Sequence, residues 1–192
     1  MQIYLLDLRT LTPSHRSRKT ARHLLLGEAL GISDATGIAL NPHGKPYIPG
    51  SEVHFNLSHG RDYTALAIHT EPPGVDIEAI EDGNANAAKL MFTQEEQEWI
   101  AQEDSVTRFY VLWAKKESIM KAKGLGFSLA PQSFSALDHS YMPTECFIFD
   151  KHMVACAAQN SFEIERIIVY EHHGTDLRER KEIPRACRFP GG

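Results

Sequence analysis

Two carboxylates stand close together in a short segment that could bind a metal ion. Asp76 and Glu78 are two positions apart in residues 74–78 (GVDIE), which have the composition of a strand, so both side chains are expected on one face. Adjacent carboxylates repel each other unless a cation offsets their charge. Mg²⁺ suits such a pair because it binds one or two carboxylates together with substrate phosphates and water. The alternative is a solvated outer face of an edge strand, which the spacing alone favours.

A second group of charged side chains lies on one side of a helix predicted over residues 106–123. Glu117 and Lys121 are one turn apart, and Trp113 stands one turn before them. As a surface pair, the glutamate and the lysine would stabilise the helix by only about 0.3–0.5 kcal/mol. The tryptophan indicates that this side faces inward, where a buried glutamate and lysine need partners. The pattern leaves both a surface pair and a functional pair open.

Polar and basic side chains in the first third of the chain could bind phosphate groups. Ser58 and His59 end a strand predicted over residues 53–58, where a hydroxyl and an imidazole can both contact an anion. A serine-hydrolase site is disfavoured because no G-x-S-x-G turn is present; a hairpin whose polar side chains bind the backbone is the alternative. Lys45 stands in a stiff GKP turn and Arg22 in a basic helix, and a solvated surface position is the commoner outcome for both. The chain has neither a Walker loop nor a GxGxxG motif.

The composition is that of an ordinary globular protein with a mild negative charge. The chain has 192 residues, 42% of them hydrophobic, a net charge of -5 and a pI near 6.0, which disfavours a general nucleic-acid binder. No apolar run approaches the roughly 20 residues needed to cross a bilayer, and the first residues are too interrupted for a signal peptide. Cys146, Cys156 and Cys187 form no CxxC pair. A disulfide framework or a zinc cluster is therefore not expected, and a reducing, cytoplasmic location is.

The order of the predicted elements indicates an α/β protein with two lobes. A strand over residues 2–8 precedes a helix that ends near Gly31, and Thr93 and Glu96 have the spacing of a capping box at the start of a later helix. We expect an N-terminal lobe over residues 1–73, a C-terminal lobe over residues 74–172, and a peripheral or disordered tail over residues 173–192. Further strands are predicted over residues 63–69, 133–137, 147–149, 153–158 and 164–170.

Taken in order, these motifs resemble the 4'-phosphopantetheinyl transferases, particularly the surfactin-synthetase-activating type. Each motif is weak or moderate alone, but their joint order and spacing are specific, and the likeness covers most of residues 1–160. The segments are RHLLLG (22–27), GKP (44–46), FNLSH (55–59), GVDIE (74–78), FTQEE (92–96), WAKKESIMK (113–121), GLG (124–126), SFS (133–135) and VACAA (154–158).

The resemblance implies a pseudo-twofold pair of similar α/β lobes with coenzyme A in the cleft between them. It also implies transfer of phosphopantetheine to a serine of an apo acyl or peptidyl carrier protein, with release of adenosine 3',5'-bisphosphate. By this likeness Asp76, Glu78 and Glu117 hold Mg²⁺ against the pyrophosphate. Lys121 and His59 neutralise phosphate charge beside Ser58, and Lys45 and Arg22 (or its neighbour His23) contact the nucleotide end.

Three hypotheses complete the sequence-based interpretation. The first is that Glu117, besides holding Mg²⁺, acts as the base that accepts the proton of the attacking hydroxyl. The second is that the protein works as a monomer without nucleic-acid or membrane contacts. The carrier protein is expected to bind a local patch near Met91 and Phe92 with Lys89 as a nearby cation. Two rival functions are another Mg²⁺-dependent phosphoryl-transfer enzyme and a non-catalytic module that binds carrier proteins.

Overall fold

The computed structural model of the chain describes residues 1–11, 15–32, 37–82, 90–173 and 176–183. The helices in these ranges are α1 (His15–Leu30), α2 (Gln94–Ile100) and α3 (Ser105–Lys123), and two short 3-10 segments cover Gly126–Ser128 and Pro131–Ser133. The strands are β1 (Gln2–Asp7), β2 (Ala39–Leu40), β3 (Pro46–Tyr47), β4 (His54–His59), β5 (Tyr63–His69), β6 (Gly74–Ala79), β7 (Thr144–Phe149), β8 (His152–Ala157), β9 (Arg166–His173) and β10 (Asp176–Ile183). The predicted α/β class is confirmed.

The longer strands form two sheets. The first has five strands in the order β10-β9-β1-β5-β4, and the second has three in the order β6-β8-β7. The pairs are antiparallel except β1 with β9, which run parallel. Strands β2 and β3 form a separate two-stranded hairpin.

The two sheets pack face to face, with a helix on the outer face of each. Alternating residues of β1 and β9, including Ile3, Leu5 and Val169, meet Val75 and Ile77 of β6 in a shared core. The opposite face of the first sheet packs on Leu25 and other residues of α1. Helix α3 covers the opposite face of the second sheet. In the part of the chain that the structure describes, no helix is long and apolar enough to cross a membrane.

Strand β9 joins the first sheet although the predicted boundary assigns residues 166–172 to the C-terminal lobe. Its side chains alternate between the two cores, with Ile167 and Val169 on one face and Ile168 and Tyr170 on the other, so it fits a strand covered on both faces. The division into two similar lobes stays a prediction.

The tail from residue 173, for which the sequence leaves a peripheral or a disordered state open, includes the ordered edge strand β10. Most of its side chains are exposed, but Leu177 and Ile183 pack against the two cores of the first sheet. Charged side chains along an exposed edge discourage pairing with another chain. Residues 184–192, which include Cys187, lie outside the described ranges.

The predicted helix starting at Thr93 and the long helix over residues 106–123 are both present. The Thr93 side chain accepts from the Glu96 backbone, and the Glu96 carboxylate accepts from the Thr93 backbone at 2.7 Å, which completes the capping box. Helix α3 ends at Lys123 and is capped by Gly124, which has the left-handed conformation with φ of 67°.

The strand predicted over residues 133–137 is wrong because a buried ion pair takes up the backbone of that segment. The Lys116 ammonium lies 2.9 Å from the Glu96 carboxylate, and both side chains are 0% exposed. Lys116 also donates to the carbonyls of Pro131 and Phe134, each at 2.7 Å, while the Ala136 amide donates to Glu96. These backbone groups therefore bind side chains rather than a neighbouring strand.

Strand β6 comes unusually close to helix α3 at Gly74. A Cβ atom at this position would overlap the Ser118 carbonyl oxygen and lie 2.5 Å from the Ala122 amide nitrogen. Both obstacles are helix backbone, which cannot rotate away as a side chain could. Glycine is therefore the residue that allows this strand and this helix to meet.

The Gly74→Ala substitution is expected to destabilise the protein by about 3 kcal/mol, the upper end of the usual cost of overpacking, because the helix or the strand must shift to admit the methyl group. Urea unfolding measures the change. Gly37→Ala is the matched control, since a Cβ there meets no atom of the described residues within 4 Å. Equal stability of the two variants would contradict the close approach.

The Glu96→Gln substitution is expected to cost about 3–5 kcal/mol, because it leaves the buried Lys116 charge without its partner. Glu95→Gln on the same helix, where the side chain is exposed, should change the free energy of unfolding by less than about 0.5 kcal/mol. Thermal and urea unfolding of both variants test the difference. A Glu96→Gln protein as stable as Glu95→Gln would show that the ion pair does not hold this region together.

Candidate active site

An ion pair and a serine hydroxyl join strands β4 and β6 to helix α3. The Lys121 ammonium donates to Asp76 Oδ1 at 2.6 Å and to Ser58 Oγ at 3.0 Å. The Ser58 hydroxyl donates to the same Asp76 oxygen at 2.8 Å. Asp76 and Ser58 are buried, whereas Lys121 is half-buried. Three residues that the sequence singled out therefore form one hydrogen-bonded cluster.

Two more carboxylates flank this cluster on the side of helix α3. The Trp113 indole donates to Glu78 Oε1 at 3.3 Å, so Asp76 and Glu78 do face the same helix, as their spacing predicts. Burial raises the pKa of Glu78 to about 7, and repulsion from Asp76 and Glu117 adds to the effect. Burial, with repulsion from Asp76, also raises the pKa of Glu117. Three carboxylates therefore lie close together, and the single positive charge of Lys121 does not balance them.

The second oxygen of Asp76 is the strongest sign that the site is built for a ligand. Asp76 Oδ2 is buried and has no hydrogen-bond partner among the residues that the structure describes, which is costly for a carboxylate oxygen. Among the described residues, no group of three or more His, Cys, Asp and Glu side chains is already gathered as a metal centre. The donors still have the chemistry that Mg²⁺ prefers, carboxylate oxygens beside space for substrate.

Strand β4 is attached to β6 by a side chain of the FNLSH segment. Asn56 Oδ1 accepts from the Val75 amide at 2.9 Å, and both groups are buried. This contact places Ser58, two positions further along β4, beside Asp76. His59 follows at the strand end with an exposed side chain.

His59 also lines a small basic cavity of about 200 Å³ with residues of helix α1. The cavity walls are Leu8, Arg18, Arg22, His59 and Gly60. Burial lowers the pKa of Arg22, and repulsion from Arg18 acts in the same direction. An anion in this cavity would relieve that repulsion. His23 does not line it and is exposed.

Lys45 lies apart from this cavity, in the wall of a larger one of about 390 Å³. Its ammonium donates to the Pro73 carbonyl at 2.8 Å and to the Ala122 carbonyl at 3.1 Å. Burial lowers the pKa of Lys45 to about 8. The aromatic side chains Tyr47 and Phe55 form part of the same wall.

Met91 and Phe92 themselves offer no surface to the carrier patch that the sequence predicts near them. Met91 and Phe92 are 5% and 0% exposed, because both pack in the core between α2 and α3. Leu90, which precedes them, is 77% exposed. Lys89 lies outside the described residues.

Sequence reasoning missed two groups that position the site. Lys116 was not singled out, because a lysine next to Glu117 on a helix resembles a surface charge. Asn41 is the other, because the donation from its side-chain amide to the Gly124 carbonyl at the end of helix α3 follows from no local sequence pattern. Leu112 and Met120, one turn before and one turn after Lys116, are the sequence signal that this lysine faces the core.

Comparison with known proteins gives one family. The model of the 4'-phosphopantetheinyl transferase superfamily matches residues 72–169, about half of the chain, a range that holds the three carboxylates and Lys121.

Individual relatives carry the same description. The 4'-phosphopantetheinyl transferase gsp of Aneurinibacillus migulanus is 31% identical over 134 residues, 68% of this chain and 51% of that protein. A 4'-phosphopantetheinyl transferase of Bacillus subtilis is 37% identical over 114 residues, 56% of this chain and 50% of that protein. The ffp enzyme of Bacillus subtilis is 34% identical over 149 residues, 67% of this chain and 66% of that protein. The chain thus spans about half the length of the first two of these relatives.

Without divalent cations, the free energy of unfolding is expected to fall as the pH rises from about 4.5 to about 7. The pKa of Glu78 is raised from 4.5 to about 7, so the folded state is stabilised by the protonated carboxyl and loses that advantage as Glu78 ionises. Glu78→Gln should flatten part of this slope, whereas Glu95→Gln should keep it. Denaturant unfolding across this pH range measures both, and an unchanged slope in Glu78→Gln would contradict the assignment.

Proposed function

This chain belongs to the 4'-phosphopantetheinyl transferase superfamily, and we propose that it transfers the 4'-phosphopantetheine group from coenzyme A to a serine of an apo carrier protein. Adenosine 3',5'-bisphosphate is the second product. The observation that carries the proposal is the Asp76, Lys121 and Ser58 cluster, flanked by two carboxylates and next to a basic cavity.

In this proposal Asp76, Glu78 and Glu117 hold Mg²⁺. The unpartnered Asp76 oxygen and the raised pKa of Glu78 and Glu117 support it, because a divalent cation would remove both unfavourable features. Bound Mg²⁺ supplies positive charge against the pyrophosphate of coenzyme A.

The remaining side chains handle the phosphate charge and the proton. Lys121 and His59 offset negative charge on the phosphates, with Ser58 as a hydroxyl donor beside them. Glu117 accepts the proton of the attacking serine hydroxyl. As the carrier oxygen bonds to phosphorus, the bond from that phosphorus to the oxygen of the bisphosphate product breaks.

The nucleotide end of coenzyme A is assigned to the basic residues of the first part of the chain. Arg22 and His59 share one cavity, which favours Arg22 over the exposed His23 as the phosphate contact. Lys45 lines the other cavity, but two carbonyl oxygens already accept from its ammonium, which leaves one proton for a ligand.

The client is an apo acyl or peptidyl carrier protein, and the enzyme works in the cytoplasm as a monomer. One chain supplies both the residues of β4 and those of β6 and α3, so no second copy is needed to assemble the cluster. Contacts with nucleic acid or a membrane have no part in the proposal, consistent with the net charge of -5.

Incubation with coenzyme A, Mg²⁺ and several apo carrier proteins tests the function, with mass spectrometry to detect phosphopantetheine on the carrier. Transfer is expected to stop when the metal is chelated. Asp76→Asn and Lys121→Met should each lose about 100-fold or more in kcat/KM, while Glu95→Gln should not change it.

Two outcomes would overturn parts of this assignment. Thermal stabilisation by ATP with Mg²⁺, but not by coenzyme A with Mg²⁺, would favour a different phosphoryl-transfer enzyme, and carrier binding without transfer would favour a non-catalytic module. A Glu117→Gln protein with near-full transfer activity would exclude Glu117 as the base.

A further inference from the structure

The last turn of helix α3 is capped by residues from a distant part of the chain. The final carbonyls of a helix have no donor within the helix itself. Here the Lys45 ammonium donates to the Ala122 carbonyl at 3.1 Å, and the Asn41 side-chain amide donates to the Gly124 carbonyl at 2.9 Å. Both donors come from the turn between β2 and β3, about 80 positions earlier in the sequence.

Asn41 also holds that turn in shape. Its side-chain oxygen accepts from the backbone amides of His43 at 2.9 Å and Lys45 at 2.8 Å. Its backbone amide donates to the Lys45 carbonyl at 2.9 Å. One side chain therefore orders the turn with its oxygen and binds the helix with its nitrogen.

The Lys45 ammonium has a second acceptor at the start of strand β6. It donates to the Pro73 carbonyl at 2.8 Å, directly before Gly74, where the strand meets the helix backbone. A cation is favoured at the C-terminus of a helix by the helix dipole. Burial of an ammonium is costly, and the two carbonyls offset that cost.

We propose that Lys45 and Asn41 form a clamp that positions Lys121 against Asp76, and that this is the main contribution of Lys45 to the site. Lys121 directly precedes Ala122, and Asp76 follows Pro73 by three positions. The two acceptors of Lys45 thus lie next to the two partners of the 2.6 Å contact between Lys121 and Asp76. With the clamp removed, the last turn of α3 frays and Lys121 loses its fixed position.

Hydrogen exchange of the substrate-free protein tests the clamp without reference to any activity. Lys45→Met should raise amide exchange at residues 122–124 by about tenfold or more and leave residues 105–112 unchanged. Lys123→Met is the matched control, because it removes another cation from the same helical turn. The Lys123 ammonium lies against the Tyr141 ring, 4.7 Å from its centroid. Exchange equal to that of the unsubstituted protein in Lys45→Met would overturn the proposal.

Asn41→Ala gives an independent measurement if Lys45→Met does not fold. It removes the Gly124 contact and should raise exchange in the same residues. Lys45→Arg, which keeps donors at this position, should restore part of the protection.

A kinetic comparison separates positioning from nucleotide binding, and this arm rests on the proposed function. With coenzyme A, Lys45→Met should lower kcat by about tenfold with little change in KM. The ratio of kcat/KM between coenzyme A and 3'-dephospho-coenzyme A should stay as in the unsubstituted protein. A raised KM for coenzyme A together with a ratio near one would show that Lys45 binds the 3'-phosphate instead. If the unsubstituted protein has no transferase activity, only the proposed function fails, and hydrogen exchange still decides on the clamp.

Discussion

The contact between Gly74 and the backbone of helix α3 is the constraint on which the rest of the site depends. A side chain at this position would hold strand β6 away from the helix. Asp76 comes two residues later and reaches Lys121 only because the strand has already closed on the helix. Asn56 fixes the same strand on its other side through Val75, so β6 is held from both directions. The carboxylates therefore owe their position to backbone packing, with little freedom to adjust.

Helix α3 carries two lysines that form ion pairs with different roles, one structural and one in the candidate site. Lys116 is fully buried and forms an ion pair with Glu96. Backbone carbonyls accept the other hydrogen bonds of its ammonium, and a backbone amide donates to the Glu96 carboxylate. Lys121 is half-buried, and its partner Asp76 keeps one oxygen that accepts no hydrogen bond within the described part of the chain. The first pair ties the helix to the segment after it and so fixes its rotation. The second pair is incomplete in the way that a ligand site must be.

Sequence patterns predicted the parts of the fold that depend on local spacing. The capping box at Thr93, the length of the long helix and the common face of Asp76 and Glu78 all follow from period and residue type. The segment after Pro131 was misread because its backbone partners are side chains far away in the sequence. Met91 and Phe92 look like an apolar patch in sequence, but which apolar residues are buried is decided by tertiary packing.

The parallel pairing of β1 with β9 determines which part of the first sheet can form last. Gln2 pairs with Arg166, so β1 acquires its second neighbour only after β6, α3 and the second sheet have been synthesised. Until then one edge of β1 has no partner strand. Its residues Ile3 and Leu5 also lack the side chains of β9 that complete the core between the sheets. Such distant pairing slows folding, since a long stretch of chain must be ordered before the contact forms. Completion of the first sheet during synthesis is thus a late event that waits on the segment carrying the candidate catalytic residues.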